Sequence, residues 1–461
     1  MEKPLFESVK EEKRALPVFT YYKDSRLSAF DNEIVNAYNN IVYNFIYKKH
    51  TICVQGAAGT GKTTLIKELI CHLYRRRIYL CAPTHKAVAQ FNKIEELLTP
   101  AQQLCNQIQI GTLQKGLGLQ VEVDEEGNYV YTITRQGELY KKAYEYIIID
   151  EASMVSAEQY YALLELNIPI LFIGDKNQLP AINNKSLPFC VFDFYKDTHT
   201  IYLFEKRRYS CFRLKELTGE IEKAIEADVL YDDFVWRLLL DFSDVVSGVK
   251  GLSKEEVRSL YYIDYTNKGG QYHWLSMEGH YYIKGEVYYS KDVENRKINK
   301  RDRYLLVEVE ERYLDVLDQR VKYKICLLEN LRTGERQHVY CYNPNEEKFF
   351  DQAKREIRKW KRRKNKVVSI DLFCNTENTE NIEEGGIPYT AEQMKVISQA
   401  ILLYPDKVYT IHASQGSTFD KVLVNIGSID KTKASKERVN KEKLQLLYVA
   451  ISRAREKVYI I

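Results

Sequence analysis

No apolar run in this 461-residue chain approaches the roughly 18 residues of a membrane-spanning helix, which argues against a helical span. No two of the nine cysteines stand at C-x-x-C spacing, so a zinc ribbon or dithiol redox site is not indicated. The cysteine count is odd and the positions scatter from Cys53 to Cys374, which suits free thiols in a reducing compartment. The opening Met1-Glu-Lys-Pro-Leu-Phe-Glu lacks a signal-peptide pattern. A soluble intracellular protein with no membrane partner is expected, cytoplasmic if the source is bacterial or phage. Internal repeats and long low-complexity segments are absent too. Nor is there a strong charge bias: 68 Lys and Arg against 64 Asp and Glu leave +4. That balance neither demands nor excludes nucleic acid, so local charge runs must decide.

What is present is an ordinary globular composition, 45 % apolar and 29 % charged, in a chain long enough for about two to four domains. From residue 51 to 180 short apolar runs alternate with helical patterns. Strands are expected at Thr51 to Gln55, Ile78 to Ala82, Tyr146 to Ile149 and Ile170 to Ile173. Leu65, Ile66, Leu69, Ile70 and Leu73 share one helical face. Continuous apolar strands between amphipathic helices indicate an α/β fold with a parallel sheet covered on both faces. Around Glu125-Glu126-Gly127-Asn128 the pattern changes to alternation, with Val121 and Val123 before it and Tyr129, Tyr131 and Ile133 after it. This predicts a β-hairpin inserted at about 118–143. A second α/β unit is expected from about Thr200, with strands at Ile201 to Leu203, Tyr261 to Tyr265, Val408 to Ile411, Val422 to Ile426 and Val458 to Ile461. An insertion from about 271 to 400 interrupts it. The insertion has strand-like runs at Tyr281 to Tyr289, Arg303 to Val309 and Val321 to Leu327, then a basic helical stretch, then an acidic, Asn-rich loop at Asn375 to Glu384.

The run Gly56-Ala57-Ala58-Gly59-Thr60-Gly61-Lys62-Thr63 matches G-x-x-x-x-G-K-[ST] and lies between a strand and a helix. Its glycines let backbone N–H groups turn toward phosphates. Lys62 supplies a cation to the terminal phosphates, and the Thr63 hydroxyl suits Mg²⁺. Ile147-Ile148-Ile149-Asp150-Glu151 ends an apolar strand in two carboxylates, one to hold Mg²⁺ through water and one to polarise an attacking water. A third strand end carries Gly174-Asp175-Lys176-Asn177-Gln178, where Gln178 suits sensing of a γ-phosphate. Arg207-Arg208 and Arg453 in Tyr448-Val449-Ala450-Ile451-Ser452-Arg453 offer cations for transition-state charge.

Taken in order, these segments resemble the motif set of superfamily 1 helicases. The set comprises the P-loop, APTHKA from Ala82, GTLQKGL from Gly111, DEAS from Asp150, GDKNQLP from Gly174, Arg208, YTNK from Tyr265, TIHASQGST from Thr410 and YVAISRAR from Tyr448. The APTHKA, DEAS and TIHASQG forms resemble the RecD-type 5′→3′ branch, and within it the Dda-like phage helicases. The resemblance implies two RecA-like P-loop domains, residues 1–200 and 201–270 plus 401–461, with 271–400 as an inserted accessory domain. It implies ATP and Mg²⁺, with nucleotide contacts from Gly56 through Thr64, Gln178, Gln415 and Gly416. It implies Lys62, Glu151, Gln178, Arg208 and Arg453 as catalytic residues, the two arginines as arginine fingers, and Thr63 and Asp150 at the metal. It further implies a single-strand track at Thr84, His85, Thr112, Thr266, Asn267, Thr410 and His412. Asp31 falls where the family's adenine-reading Gln is expected, Gln114 where His is frequent, and Ser452 where Thr is frequent.

The hairpin is either a decoration or a separation pin with Tyr129 or Tyr131 stacking on the last base pair. The stretch from Lys354 to Lys366 holds nine basic residues and one acidic, Glu356, with Trp360 among them. It is a solvated helix face, a targeting signal or a phosphate contact. Three functions follow. The first is an ATP-driven 5′→3′ single-stranded-DNA translocase that unwinds duplex junctions in replication, recombination or repair, with replication proteins as candidate partners. The second is a viral-type RNA helicase. The third is a nucleotide-dependent switch that does not translocate.

Overall fold

The computed structural model describes residues 31–73, 75–91, 107–123, 129–181, 189–195, 199–290, 298, 302–316, 319–371, 389–430 and 439–461. The chain divides into two compact units, Met1–Leu252 with Ile411–Ile461, and Ser253–Thr410.

The first unit is built on a six-stranded sheet. Its strands are β1 (Ile52–Gly56), β2 (Ile78–Ala82), β3 (Ile108–Thr112), β6 (Tyr146–Ile149), β7 (Ile170–Gly174) and β8 (Thr200–Leu203). Their order is β3-β2-β6-β7-β1-β8, and every neighbouring pair is parallel. Side chains alternate across a strand, so one run feeds two cores. Ile52, Val54, Ile78, Leu80, Ile148, Leu171 and Ile173 pack with the helices Asn32–Ile41 and Lys62–Leu73. Cys53, Tyr79, Cys81, Ile147, Ile149, Ile170 and Phe172 pack on the other face with Leu113, Tyr160 and Leu163. Burial on both faces explains the unbroken apolar runs. The five apolar residues expected on one face of the helix after Thr63 are all buried there. Each contributes about 1.5–3 kcal/mol.

This sheet departs from expectation in three respects. Ile108–Thr112 is a strand that the apolar pattern did not signal, and Thr200–Leu203 pairs with β1. The latter therefore belongs to the first sheet and not to a second α/β unit. The carboxylate-bearing β6 also does not adjoin the P-loop strand, because β7 lies between them. The hairpin forms as expected, β4 (Leu119–Val123) antiparallel to β5 (Tyr129–Ile133). Its tip around Gly127 and the side chains of Tyr129 and Tyr131 lie outside the described residues.

After β8 the helices Phe212–Glu226 and Tyr231–Asp241 lead to a short strand, β9 (Val246–Gly248). The second unit opens with β10 (Tyr261–Asp264) and the helix Asn267–Glu278. It continues through β11 (Val287–Ser290), β12 (Tyr304–Val316), β13 (Gln319–Asn330), β14 (Arg336–Cys341), β15 (Leu403–Pro405) and β16 (Val408–Thr410). Strands β14-β13-β12-β11-β15 make one sheet, while β10 and β16 pair in parallel. Tyr281 and Tyr282 are buried ahead of the strand at Val287 rather than within it, and the Tyr281 carbonyl accepts from Trp274 Nε1 at 3.2 Å. The basic stretch lies on the helix Glu347–Asp371, which buries Phe350, Ala353 and Ile357. Lys354 on it donates to the Ala400 carbonyl, and the side chains from Lys361 through Lys366 lie outside the described residues, as does the loop at 375–384.

The chain then returns to the first unit. β17 (Phe419–Val424) and β18 (Ala454–Ile460) pair in parallel, and β18 pairs with β9. Between β17 and β18 runs the helix Val439–Ile451, buried from Leu444 onward. The architecture is thus α/β, with two sets of parallel strands, RecA-like in kind, a hairpin inserted in the first and an antiparallel sheet with a long helix inserted in the second. Among the described residues no helix is long and apolar enough to cross a membrane. Seven of the nine cysteines are described, and all seven are free.

Candidate nucleotide site

At the carboxyl end of β1 the chain turns through Gly59 and Gly61, with φ of +86° and +92°. Only glycine adopts such angles without strain. A Cβ on Gly59 would lie 2.4 Å from the Arg208 Cβ, so the turn also needs the empty volume. The helix Lys62–Leu73 starts at the end of this loop and points its N-terminal N–H groups at the cleft, an arrangement suited to anions. The Lys62 ammonium donates to the carbonyls of Gly56 at 2.6 Å and Ala57 at 2.7 Å. Burial lowers its pKa, opposed by Asp175, Glu151 and Asp150.

A cleft of about 280 Å³ opens over this loop. Its walls bring together Ala58, Gly59, Gly61, Lys62, Thr63 and Thr64 from the P-loop with Asp150, Glu151 and Gln178 from two other strand ends. Gly416, Arg208 and Arg453 complete it from later segments. Gly56, Ala57, Thr60 and Gln415 are not among its lining residues. Thr60 is wholly buried, and its hydroxyl donates to the Ala57 carbonyl at 3.0 Å.

The carboxylates follow β6. Asp150 Oδ1 accepts the Glu151 N–H at 2.9 Å, and Glu151 sits at φ 54°, a left-handed backbone that a non-glycine residue adopts only under local constraint. Burial, then the neighbouring Glu151, raises the Asp150 carboxyl to about 7. Glu151 Oε2, Gln178 Oε1 and both polar atoms of the Gln415 amide are buried without a protein partner. Buried polar groups are normally paired, so these atoms mark places for ligand, water or ion. Among the described residues no group of three or more His, Cys, Asp or Glu could enclose a metal. A cation held at Thr63 and Asp150 would complete its shell from phosphate and water, as Mg²⁺ does.

The arginines are anchored from the opposite side. Arg208 donates from Nη1 to the Ser452 carbonyl at 3.1 Å. Burial, then Arg453, lowers its pKa to about 10, so it remains cationic at neutral pH. Arg453 is 1 % exposed and donates from Nε to the Val449 carbonyl at 2.9 Å and from Nη2 to the Ser452 hydroxyl at 2.7 Å.

Further residues join the cleft, and of these Gln90 had no signal in the sequence. Arg207 also lines the cleft, donates to the Thr60 carbonyl at 2.8 Å and ion-pairs with Glu33 at 2.8 Å and with Asp31. Asp31 is the N-cap of the helix Asn32–Ile41 and accepts the Ile34 N–H at 3.0 Å. Gln90 lines the cleft and donates to the Gly416 carbonyl. Thr418 and Arg455 line it as well. Gln114 donates to the Pro83 carbonyl at 2.8 Å.

The expected strand-track residues sit at strand ends, as residues that meet a ligand do in this kind of sheet. Three of the threonines are also N-caps: Thr84 accepts from Ala87 N–H, Thr112 from Lys115 N–H and Thr266 from Gly269 N–H. Asn267 is the first residue of the helix that Thr266 caps, and His85 of the helix that Thr84 caps. Thr410 ends β16, and burial lowers the pKa of His412 just after it.

Two family descriptions match the chain, an AAA domain over residues 39–184 and a UvrD-like helicase C-terminal domain over residues 407–461. No curated protein matches it. Among solved structures, Pif1 helicase from Bacteroides in complex with ADP-AlF3 and ssDNA is 16 % identical, covering 93 % of this chain and 92 % of that one, with a TM-score of 0.49. Bacteroides Pif1 bound to ssDNA is 15 % identical over 93 % and 91 %, with a TM-score of 0.48. Pif1 helicase from Candida albicans is 15 % identical over 94 % of each chain, also at 0.48.

Proposed function

We propose that this chain is a superfamily 1 helicase that works on DNA at the expense of ATP, moves 5′→3′ along a single strand and separates the duplex ahead of it. The observation that carries the reading is convergence. Lys62, Asp150, Glu151, Gln178, Arg208 and Arg453 come from five separate segments and meet on one cleft. A cleft that merely held nucleotide would need the P-loop and little else. Two arginines and a sensing amide around the phosphate position suit hydrolysis linked to movement.

In this reading the P-loop N–H groups and Lys62 hold the β- and γ-phosphates. Thr63 and Asp150 would hold Mg²⁺, which would supply positive charge against the phosphates. Glu151 orients and deprotonates the attacking water, and its unpartnered Oε2 is free to do so. Gln178 reports the γ-phosphate to the loop that carries it. Arg208 and Arg453 stabilise charge developing on the transferred phosphoryl group. Thr84, His85, Thr112, Thr266, Asn267, Thr410 and His412 line the strand, and alternating grip on it converts hydrolysis into motion. Replication, recombination and repair intermediates are the class of substrate.

The test is steady-state ATPase activity with no polymer and with DNA or RNA strands of equal sequence. DNA should raise kcat at least about tenfold, as expected when strand binding completes a preorganised site. Glu151→Gln should abolish that activity while strand binding persists. Stimulation by RNA alone would favour an RNA helicase, and no stimulation by either would favour a switch.

A further inference from the structure

We propose that Tyr448 is a positioning residue of this site: its hydroxyl ties the P-loop at Ala58 to the Asp175 carboxylate, and so holds the Gln178 loop and the helix leading to Arg453 in register with the phosphates. The inference rests on the ATPase reading above.

Tyr448 lies on the helix Val439–Ile451 and is fully buried. Its hydroxyl donates to Asp175 Oδ2 at 2.8 Å and accepts the Ala58 N–H at 3.1 Å. These partners are 273 and 390 residues away in sequence, so one oxygen joins three remote segments. Burial pushes the phenol well above its ordinary range, so it keeps its proton and serves Asp175 as a donor. Asp175 passes the constraint on: its Oδ1 accepts the Asn177 N–H at 3.0 Å, and its carbonyl accepts the Gln178 N–H at 3.1 Å. One turn earlier on the same helix, Gln445 donates to the Gln178 carbonyl at 3.1 Å. At the far end Arg453 is tied back to Val449. The helix thus holds the sensing loop at two points and the P-loop at one, and it ends next to Arg453. The partly buried Glu222, paired with Lys206 at 2.8 Å, also faces the hydroxyl. No atom of Tyr448 needs to reach the phosphates for this role.

The test uses the full chain with Tyr448→Phe, Asp175→Asn and the double variant, each assayed for melting temperature and for ATPase activity under saturating single-stranded DNA. Tyr448→Phe keeps the ring and removes only the hydroxyl. Its kcat should fall about tenfold, the effect of losing a hydrogen bond to a charged group, with KM for ATP changed less than about twofold. The double variant should be no slower than the slower single variant, because both remove the same link. Wild-type kcat in Tyr448→Phe, a change confined to KM, or losses that multiply in the double variant would each overturn the inference. If Tyr448→Phe melts below the assay temperature, Asp175→Asn is read alone, and wild-type kcat there overturns it. An active wild type with unaffected variants sinks this inference alone, whereas an inactive wild type removes the ATPase reading and this inference with it.

Discussion

The charge at the candidate site is held by single residues under strong constraint, and Asp150 is where that constraint can be measured. Its folded carboxyl lies at about 7, raised by burial and by Glu151. In the unfolded chain an aspartate loses its proton near about 3.9. Between those values the folded state carries a proton that the unfolded state has released, so metal-free stability falls as pH rises from about 4 to about 7. Asp150→Asn has no such charge to bury. In EDTA it should melt higher than wild type at pH 8, by about 2–4 °C for each kcal/mol relieved, and the margin should shrink at pH 5. Thermal melts at the two pH values check this, and a margin that grows on acidification would contradict it. The residues of this site were legible in sequence where they lie in compact motifs with their own chemistry, as in Gly56–Lys62 or Asp150-Glu151. Gln90 and Tyr448 were not, because their roles arise from partners far along the chain. Tyr448 stood in a motif valued for its arginine, and nothing local marks its hydroxyl as the partner of Ala58.

Elements were legible according to how they are buried. β2, β6 and β7 are covered on both faces and have every residue buried, so their sequences are continuous apolar runs. β3 is an edge strand, half-buried and interrupted by Gly111, whose missing Cβ makes room for the Tyr79 hydroxyl, and the usual pattern disappears there. β9 is three residues long and gives no period to detect. β8 was recognisable as a strand, but its partner was not, since parallel pairing with β1 joins segments about 150 residues apart and leaves no local trace. The hairpin of β4 and β5 was legible through alternation. It has a clear role to test. Tyr129→Ala with Tyr131→Ala should lower the duplex-unwinding rate about tenfold, within the 1–3 kcal/mol of one stacked base, while single-strand-stimulated ATPase activity stays intact. Equal unwinding by the variant and wild type would make the hairpin a decoration.

At the scale of the molecule, a site built from remote segments gives each of them a direct stake in its occupancy. The P-loop by itself binds phosphate. Here its Ala58 N–H is held by the Tyr448 hydroxyl, and Arg208 is tied to the Ser452 carbonyl, so on the proposed reading its occupancy would be felt by segments far along the chain. Thr84 and Thr112 cap the helices that follow their strands, so two positions expected to grip a strand are fixed to the sheet that carries the P-loop. The matched AAA and helicase C-terminal regions lie at opposite ends of the sequence, at 39–184 and 407–461. Direction of travel is the central claim. The direct measurement is ATP-dependent unwinding of two partial duplexes of identical sequence, one with a 5′ single-stranded tail and one with a 3′ tail. The account predicts unwinding of the 5′-tailed duplex and little of the other. Preference for the 3′ tail would contradict it.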